Sequence, residues 1–263
     1  MSYQLLILLL AVVIGLYLFR IYRKAAKVDQ KLIPEEETTE QVLAKQVPFY
    51  QKLSAPEQQV FEERVQLFLH KIKITPINNA AVTMQDRVLI AAAGIIPLFR
   101  FKNWMYNNLN EVLVYPDRFN KDYELEGNER DVVGMVGDGA MHRTMILSLP
   151  YLRAGFANDT DSNTAIHEFV HLLDKSDGAT DGIPEAILQD DNVKPWISLM
   201  HEYIKEIRQH DITDINPYGA TNEAEFFAVV SEYFFQQPER LQEHHPELYT
   251  LLNAAFNRTA DTE

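Results

Sequence analysis

The amino-acid sequence predicts an α+β domain, mostly helical with a small sheet, preceded by one N-terminal transmembrane helix. Three observations predict it. An unbroken apolar run lies near the N-terminus, short β-like runs punctuated by glycine occupy the middle, and apolar residues recur at helical spacing on either side. Of the 263 residues, 46% are apolar and 24% charged. That suffices for one domain of roughly 200 residues plus an appendage.

Leu5 to Phe19 is apolar throughout, with Gly15 inside it. Tyr3 and Ile21–Tyr22 extend the span to roughly 18–20 residues, near the minimum for a bilayer crossing. Basic residues follow this run instead of preceding it, and no small-x-small site comes after. A retained anchor therefore fits better than a cleaved signal peptide. Residues 1–27 are predicted as the anchor and its basic flank, which keeps the body of a single-pass cell-membrane protein on the cytoplasmic side. Arg20, Arg23, Lys24, Lys27 and Lys31 oppose Asp29, so residues 1–31 carry +4 of a net −14 and the remainder carries −18. So acidic a body repels phosphate backbones, which excludes nucleic acid as a partner. There are no cysteines. Disulfides, thiolate metal ligands and thiol nucleophiles are excluded with them.

Residues 28–46, polar and acidic around Glu35, Glu36 and Glu37, read as a tether, and the folded domain is expected over 47–257. Ser54, Pro56 and Glu57 form a helix-start signature. Val60, Phe61, Val65, Leu67, Phe68 and Leu69 supply its apolar face. Val88 to Phe101 reads as a buried helix running into Gly94 and Pro97. Val112–Tyr115, Val132–Val133 and Met145–Leu147 read as short strands. After Asp161 the pattern is helical to the end.

His167-Glu168-Phe169-Val170-His171 is an HExxH sequence, with Asp161, Ser162 or Asn163 available to cap its helix. Helical residues four apart lie one turn apart and differ by about 40° in direction. Both imidazoles can therefore ligate one ion, and zinc suits imidazole and carboxylate donors. Glu168 is displaced to the side, where it can take a proton from a metal-activated water. With 8 histidines in the chain, chance supplies roughly 0.02 copies of the pattern. Ile166, Phe169, Val170, Leu172 and Leu173 leave a narrow polar stripe on an otherwise buried helix, and a buried polar stripe needs partners.

A third protein ligand is required. Where the metzincin pattern places glycine and a third histidine, this chain has Asp174 and Asp177. The ligand must come from elsewhere. Thr221 or Asn222 can cap a helix in which Glu225 falls within an apolar run. Glu223 occupies the first turn, where an acid assists the helix dipole without further reason. Glu225 is therefore the predicted third ligand. Asp174 is nearly in line with His167 and is expected either to orient a ligand from behind or to make a helix-end contact. Glu232, seven residues after Glu225 on the same face, is expected to hydrogen-bond His167 or His171. His142 and His201 stand outside ligand spacing, and His244–His245 reads as solvated surface.

The HEFVH stretch with Asp174, the Tyr218-to-Glu225 spacing, and Ser231-Glu232-Tyr233-Phe234-Phe235 resemble the Mlc titration factor A (MtfA-like) family of zinc peptidases, over roughly residues 47–250. The resemblance implies a zincin-like catalytic domain of the glutamate-zincin (gluzincin) type. In it one Zn2+ ion is held by His167, His171 and Glu225, Glu168 is the general base, and Tyr218 stabilises the oxyanion. The implied reaction is hydrolysis of a peptide or protein substrate. Whether cleavage is aminopeptidase-like or internal is not written in the motif. The same resemblance implies a rival role, a membrane-tethered binding module that sequesters a regulatory protein such as a transcriptional repressor. Intact Glu168 and Tyr218 weigh against it, because a pure binder has no use for a general base. Thr144–Ser148 is expected to be either an edge strand that pairs with extended substrate or an ordinary buried strand.

Overall fold

The structure, a computed structural model, describes residues 37–102, 104–127, 130–157 and 161–257. The predicted anchor, residues 1–27, and the first part of the predicted tether lie outside the described residues. Among the described residues no helix is long and apolar enough to cross a membrane.

The tether ends earlier than its composition suggests. Thr39–Gln46 forms helix α1, whose Val42 and Leu43 are fully buried in the main core. Two adjacent apolar residues among polar ones carry little periodicity, and packing alone reveals their role. A short helix α2, Pro48–Gln51, follows. The Ser54 N–H then donates to Glu57 Oε2 at 2.9 Å and closes the start of α3, Ala55–Lys71. Its Phe61, Val65 and Phe68 point inward.

Helix α4, Met84–Leu98, is buried almost along its whole length, so its apolar residues recur without a polar face. Gly94 and Pro97 both lie inside it. A β-carbon at Gly94 would fall 2.9 Å from a Phe68 ring atom and 3.0 Å from the Phe169 ring. The glycine lets α3 and the HExxH helix close on α4 from two sides.

Strands β1 (Lys73–Pro76), β2 (Glu111–Tyr115), β3 (Gly134–Val136) and β4 (Thr144–Ser148) form a sheet in the order β1-β2-β4-β3. The first three of that order run parallel, and β3 is antiparallel to β4 with Met135 opposite Ile146. Val112, Val114, Met145 and Leu147 face the helical core. Tyr115 and Ile146 join Phe119 in a second cluster on the other face. Thr144–Ser148 is thus an inner strand and cannot serve as the open edge; that place belongs to β3. The strand expected at Val132–Val133 lies one to four residues further along, and Val132 itself makes only an isolated bridge to Phe119.

The remaining elements are helical: α5 (Leu149–Gly155), α6 (Thr164–Asp174), α7 (Asp190–Gln209), α8 (Glu223–Gln236), α9 (Pro238–His244) and α10 (Pro246–Phe256). Helices α6 and α8 pack against each other, with α4 on the far side of α6.

Candidate metal centre

Helix α6 begins where Asn163 Oδ1 accepts the Ile166 N–H at 3.1 Å. Nearly every residue on it is buried, including His167, Glu168 and Asp174. Helix α8 begins the same way, with Asn222 Oδ1 accepting the Glu225 N–H at 2.9 Å. Each cap satisfies an orphan donor and sets the helical phase of the ligand-bearing turn.

Three donor atoms converge between these helices. His167 Nε2 lies 3.1 Å from Glu225 Oε2 and 3.2 Å from His171 Nε2, and His171 Nε2 lies 3.3 Å from Glu225 Oε2. A tetrahedral ion with ligand atoms at about 2.0–2.1 Å sets neighbouring ligand atoms about 3.3 Å apart. The side chains already stand at that spacing. Among the described residues they are the one group of three histidines or acids able to hold a metal ion.

The electrostatics agree with a cation at this point. Burial opposes the Glu225 charge, yet hydrogen bonds with His167 and His171 hold its carboxyl down to about 2. Burial works against a charged His167, but hydrogen bonds to Glu225 and Glu232 and the nearby Glu168 charge push its ring up to about 10. Carboxylates on three sides thus favour positive charge where the donor atoms meet.

Behind the triad, Glu232 from α8 reaches α6 with both oxygens. Oε1 accepts the Asn163 N–H in a short hydrogen bond, and Oε2 lies 3.3 Å from His167 Nδ1. One carboxylate therefore ties the start of the HExxH helix to the orientation of its first imidazole. Asp174 faces elsewhere. Its Oδ2 accepts the Gly182 N–H at 3.0 Å, so of the two roles expected for it the structure displays the helix-end contact.

Glu168 is buried beside the triad, and burial raises its carboxyl pKa despite the opposing charges of His171 and His167. It sits against β3. A β-carbon on Gly134 would fall 2.7 Å from Glu168 Cγ and from Oε1. Sequence reasoning passed over Gly134; the available signal was only a glycine at a strand start. Tyr218 rides on a 3-10 turn, Pro217–Ala220, held by Asn216 Oδ1 accepting the Tyr218 N–H at 3.0 Å. The side chain is 54% exposed, and its hydroxyl lies 3.4 Å from Glu225 Oε1. Burial of the hydroxyl and the charges of Glu225 and Glu168 push it up to about 12, so it remains a donor at neutral pH.

The three donor side chains, Glu168, Glu232, Gly134 and Tyr218 line one open cavity of about 1170 Å³, walled on one side by β3. Val133 and Gly137 make their backbone bonds to Ser148 and Thr144 of β4. By antiparallel alternation, the peptide groups of Gly134 and Val136 face the open edge. His142 lines a separate cavity of about 430 Å³. Of the pair His244–His245, His244 is exposed as expected and His245 departs from expectation. His245 is buried, and both rings bind Asp214, at 2.8 Å for His244 Nδ1 and 3.0 Å for His245 Nε2. The half-buried Asp214, on a neighbouring loop, draws His245 inward, whereas His244 stays exposed.

The sequence itself carries the same affiliation. The family model described as glucose-regulated metallo-peptidase M90 matches residues 19–257. An uncharacterised protein of Synechocystis sp. is 32% identical over 227 residues, covering 82% of each chain. Mlc titration factor A of Pectobacterium atrosepticum is 29% identical over 77% of this chain and 80% of its own. That of Serratia proteamaculans is 28% identical over the same shares. The matched span includes both the buried HExxH helix and the helix that carries Glu225. The chain belongs to the glucose-regulated metallo-peptidase M90 family, with the Mlc titration factor A proteins among its relatives.

Proposed function

We propose that this protein is a zinc-dependent peptidase whose ion is held by His167, His171 and Glu225. The observation that carries the reading is the tetrahedral spacing of the three donor atoms, 3.1 to 3.3 Å, with a buried Glu168 alongside. When bound, zinc supplies Lewis-acid polarisation of a water and of the scissile carbonyl. Glu168 takes the water's proton and returns it to the leaving amine, a task its burial suits by raising its pKa. Tyr218 donates its hydroxyl to the developing oxyanion. Glu232 keeps His167 oriented through Nδ1. The open edge of β3 takes the role first considered for Thr144–Ser148, offering Gly134 and Val136 peptide groups to an extended substrate.

The relatives' name, Mlc titration factor A, suggests interaction with a regulatory protein. For this chain, binding of a regulatory protein is a second reading that rests on that name. A buried general base and an oxyanion donor favour chemistry over binding alone. Attachment to the membrane through residues 1–27 is a further part of the proposal, and fractionation of cells making the full chain and one lacking those residues tests it.

The deciding experiment combines zinc analysis with peptide hydrolysis. The purified protein should hold one zinc ion, and a chelator should abolish hydrolysis. Glu168→Gln should keep the zinc and lose about 10²- to 10⁴-fold in kcat. Undiminished hydrolysis by the Gln variant, or by zinc-free protein, overturns the proposal.

A further inference from the structure

Asp174 and Asp177 stand where the metzincin pattern carries glycine and histidine, and here both are bound to the loop that follows α6. Asp174 is fully buried and accepts the Gly182 N–H at 3.0 Å. Asp177 accepts the Ala179 and Glu185 N–H groups, each at 3.1 Å. Asp181 accepts the Ile183 N–H at 3.1 Å. From the other side, the buried indole of Trp196 on α7 donates to the Gly182 carbonyl at 2.7 Å. Gly182 is therefore held on both sides, by its own N–H and by its own carbonyl.

What that grip holds is the start of α8. Gly182 has φ +73°, and a β-carbon there would fall 2.2 Å from the Glu223 carbonyl oxygen and 3.1 Å from the Ala224 nitrogen. Those atoms are backbone and cannot swing aside. Glu223 and Ala224 are the first two residues of α8, and Glu225 is the third. The Trp196 ring also packs against Phe226 and Phe227, at 6.1 and 5.7 Å between centroids. The end of the HExxH helix thus reaches the first turn of the glutamate helix through one buried residue, Gly182.

We propose that Asp174 and Gly182 are positioning residues, a clamp that sets where Glu225 meets the two imidazoles. The idea rests on the metal-site reading above. It also explains how a chain without a third histidine at the metzincin position connects its two ligand-bearing helices. The two aspartates in the vacated positions bind the loop that seats the other helix.

The test compares Asp174→Ala, Asp174→Asn and Gly182→Ala in the full-length protein, using zinc ions alone in competition with a chromophoric chelator. Loss of such supporting contacts typically weakens metal binding by about 10- to 100-fold. Asp174→Ala and Gly182→Ala should fall in that range at temperatures where each remains folded. Asp174→Asn, which keeps an acceptor for the Gly182 N–H, should stay within a few-fold of wild type. A merely structural contact would lower the melting temperature and leave the zinc affinity of the folded protein unchanged. If Gly182→Ala does not fold, Asp174→Ala decides.

Amide exchange in metal-free protein tests the clamp separately. Exchange at Glu225 and Phe226 should quicken about ten-fold in Asp174→Ala, in line with opening of the local unit. Wild-type protein that takes up no zinc would overturn the metal-site reading, while the exchange result would still judge the clamp. In a wild type that binds zinc, unchanged zinc affinity of folded Asp174→Ala overturns the clamp, and so does unchanged exchange at Glu225 and Phe226.

Discussion

Glu232 lies 3.3 Å from His167 Nδ1 and, through its other oxygen, holds the Asn163 N–H that begins the same helix. The side chain has two jobs and no spare oxygen for either. In Glu232→Gln one of the two donors must face an amide NH2 group. Metal affinity should fall about ten-fold, as for other supports of a ligating imidazole. Titration against a chelator measures it, and an unchanged affinity would show that Glu232 does not orient the ring.

Gly134 leaves room for Glu168 and for nothing more. Its replacement by alanine puts a methyl group 2.7 Å from Glu168 Cγ and Oε1. The carboxyl must move while the three metal donors stay where they are. A displacement of about 1 Å costs up to about 10²-fold in rate. Gly134→Ala should therefore lower kcat by about 10- to 100-fold with zinc content intact. Loss of zinc in step with activity would point to a broader collapse.

Tyr218 is held at the cavity rim by its own turn, and its hydroxyl is the only polar atom it adds. Tyr218→Phe removes that donor without changing the turn. Loss of one donor to an oxyanion costs about 10²- to 10³-fold in kcat where the contact is well formed. The 3.4 Å reach to Glu225 suggests the lower end for this exposed side chain. KM and zinc affinity should barely move, and an unaltered kcat would remove Tyr218 from the reaction.

Asp214 makes acid stability testable. Burial raises its carboxyl pKa, but hydrogen bonds from His244, His245 and Tyr233 prevail and hold it down to about 2. The unfolded chain binds that proton more tightly than the folded one. The stabilisation is therefore complete above about pH 4 and is lost as pH falls through about 2. A shift of this size corresponds to about 2–3 kcal/mol. Denaturant unfolding of wild type and Asp214→Asn should differ by that amount at pH 6 and converge towards pH 2. A gap independent of pH would show that Asp214 acts by packing alone.

Leu43 distinguishes a helix from a tether. It is fully buried in α1. Leu43→Ala should cost about 2–4 kcal/mol of stability, the usual range for a buried leucine. Thermal or urea unfolding measures it. A tether residue would give no change.

The HExxH helix was legible because its chemistry is local. His167 and His171 share a face through helix geometry alone, and the surrounding apolar residues show that the face is buried. Glu225 was separable from Glu223 by the apolar run around it; the structure puts both acids in the first turn of α8, with Glu223 exposed and Glu225 half-buried. Distance to the imidazoles was not legible, since 58 residues separate Glu225 from His167. The β1 strand, Lys73–Pro76, escaped notice for a similar reason: four residues carry little pattern, and their pairing with β2 lies far along the chain. His245 looked solvated until Asp214 supplied a half-buried partner.

The sequence by itself determined the residue types available for metal chemistry, the phase of the HExxH helix, and the apolar stretches that build the core. These depend on neighbours within one or two turns. Only the tertiary structure decided that β3 rather than β4 is the open edge, that Gly134 shelters Glu168, and that Gly182 joins the two ligand-bearing helices. Each of those is a contact between segments far apart in the chain, fixed by packing against a shared core, and no local periodicity encodes it.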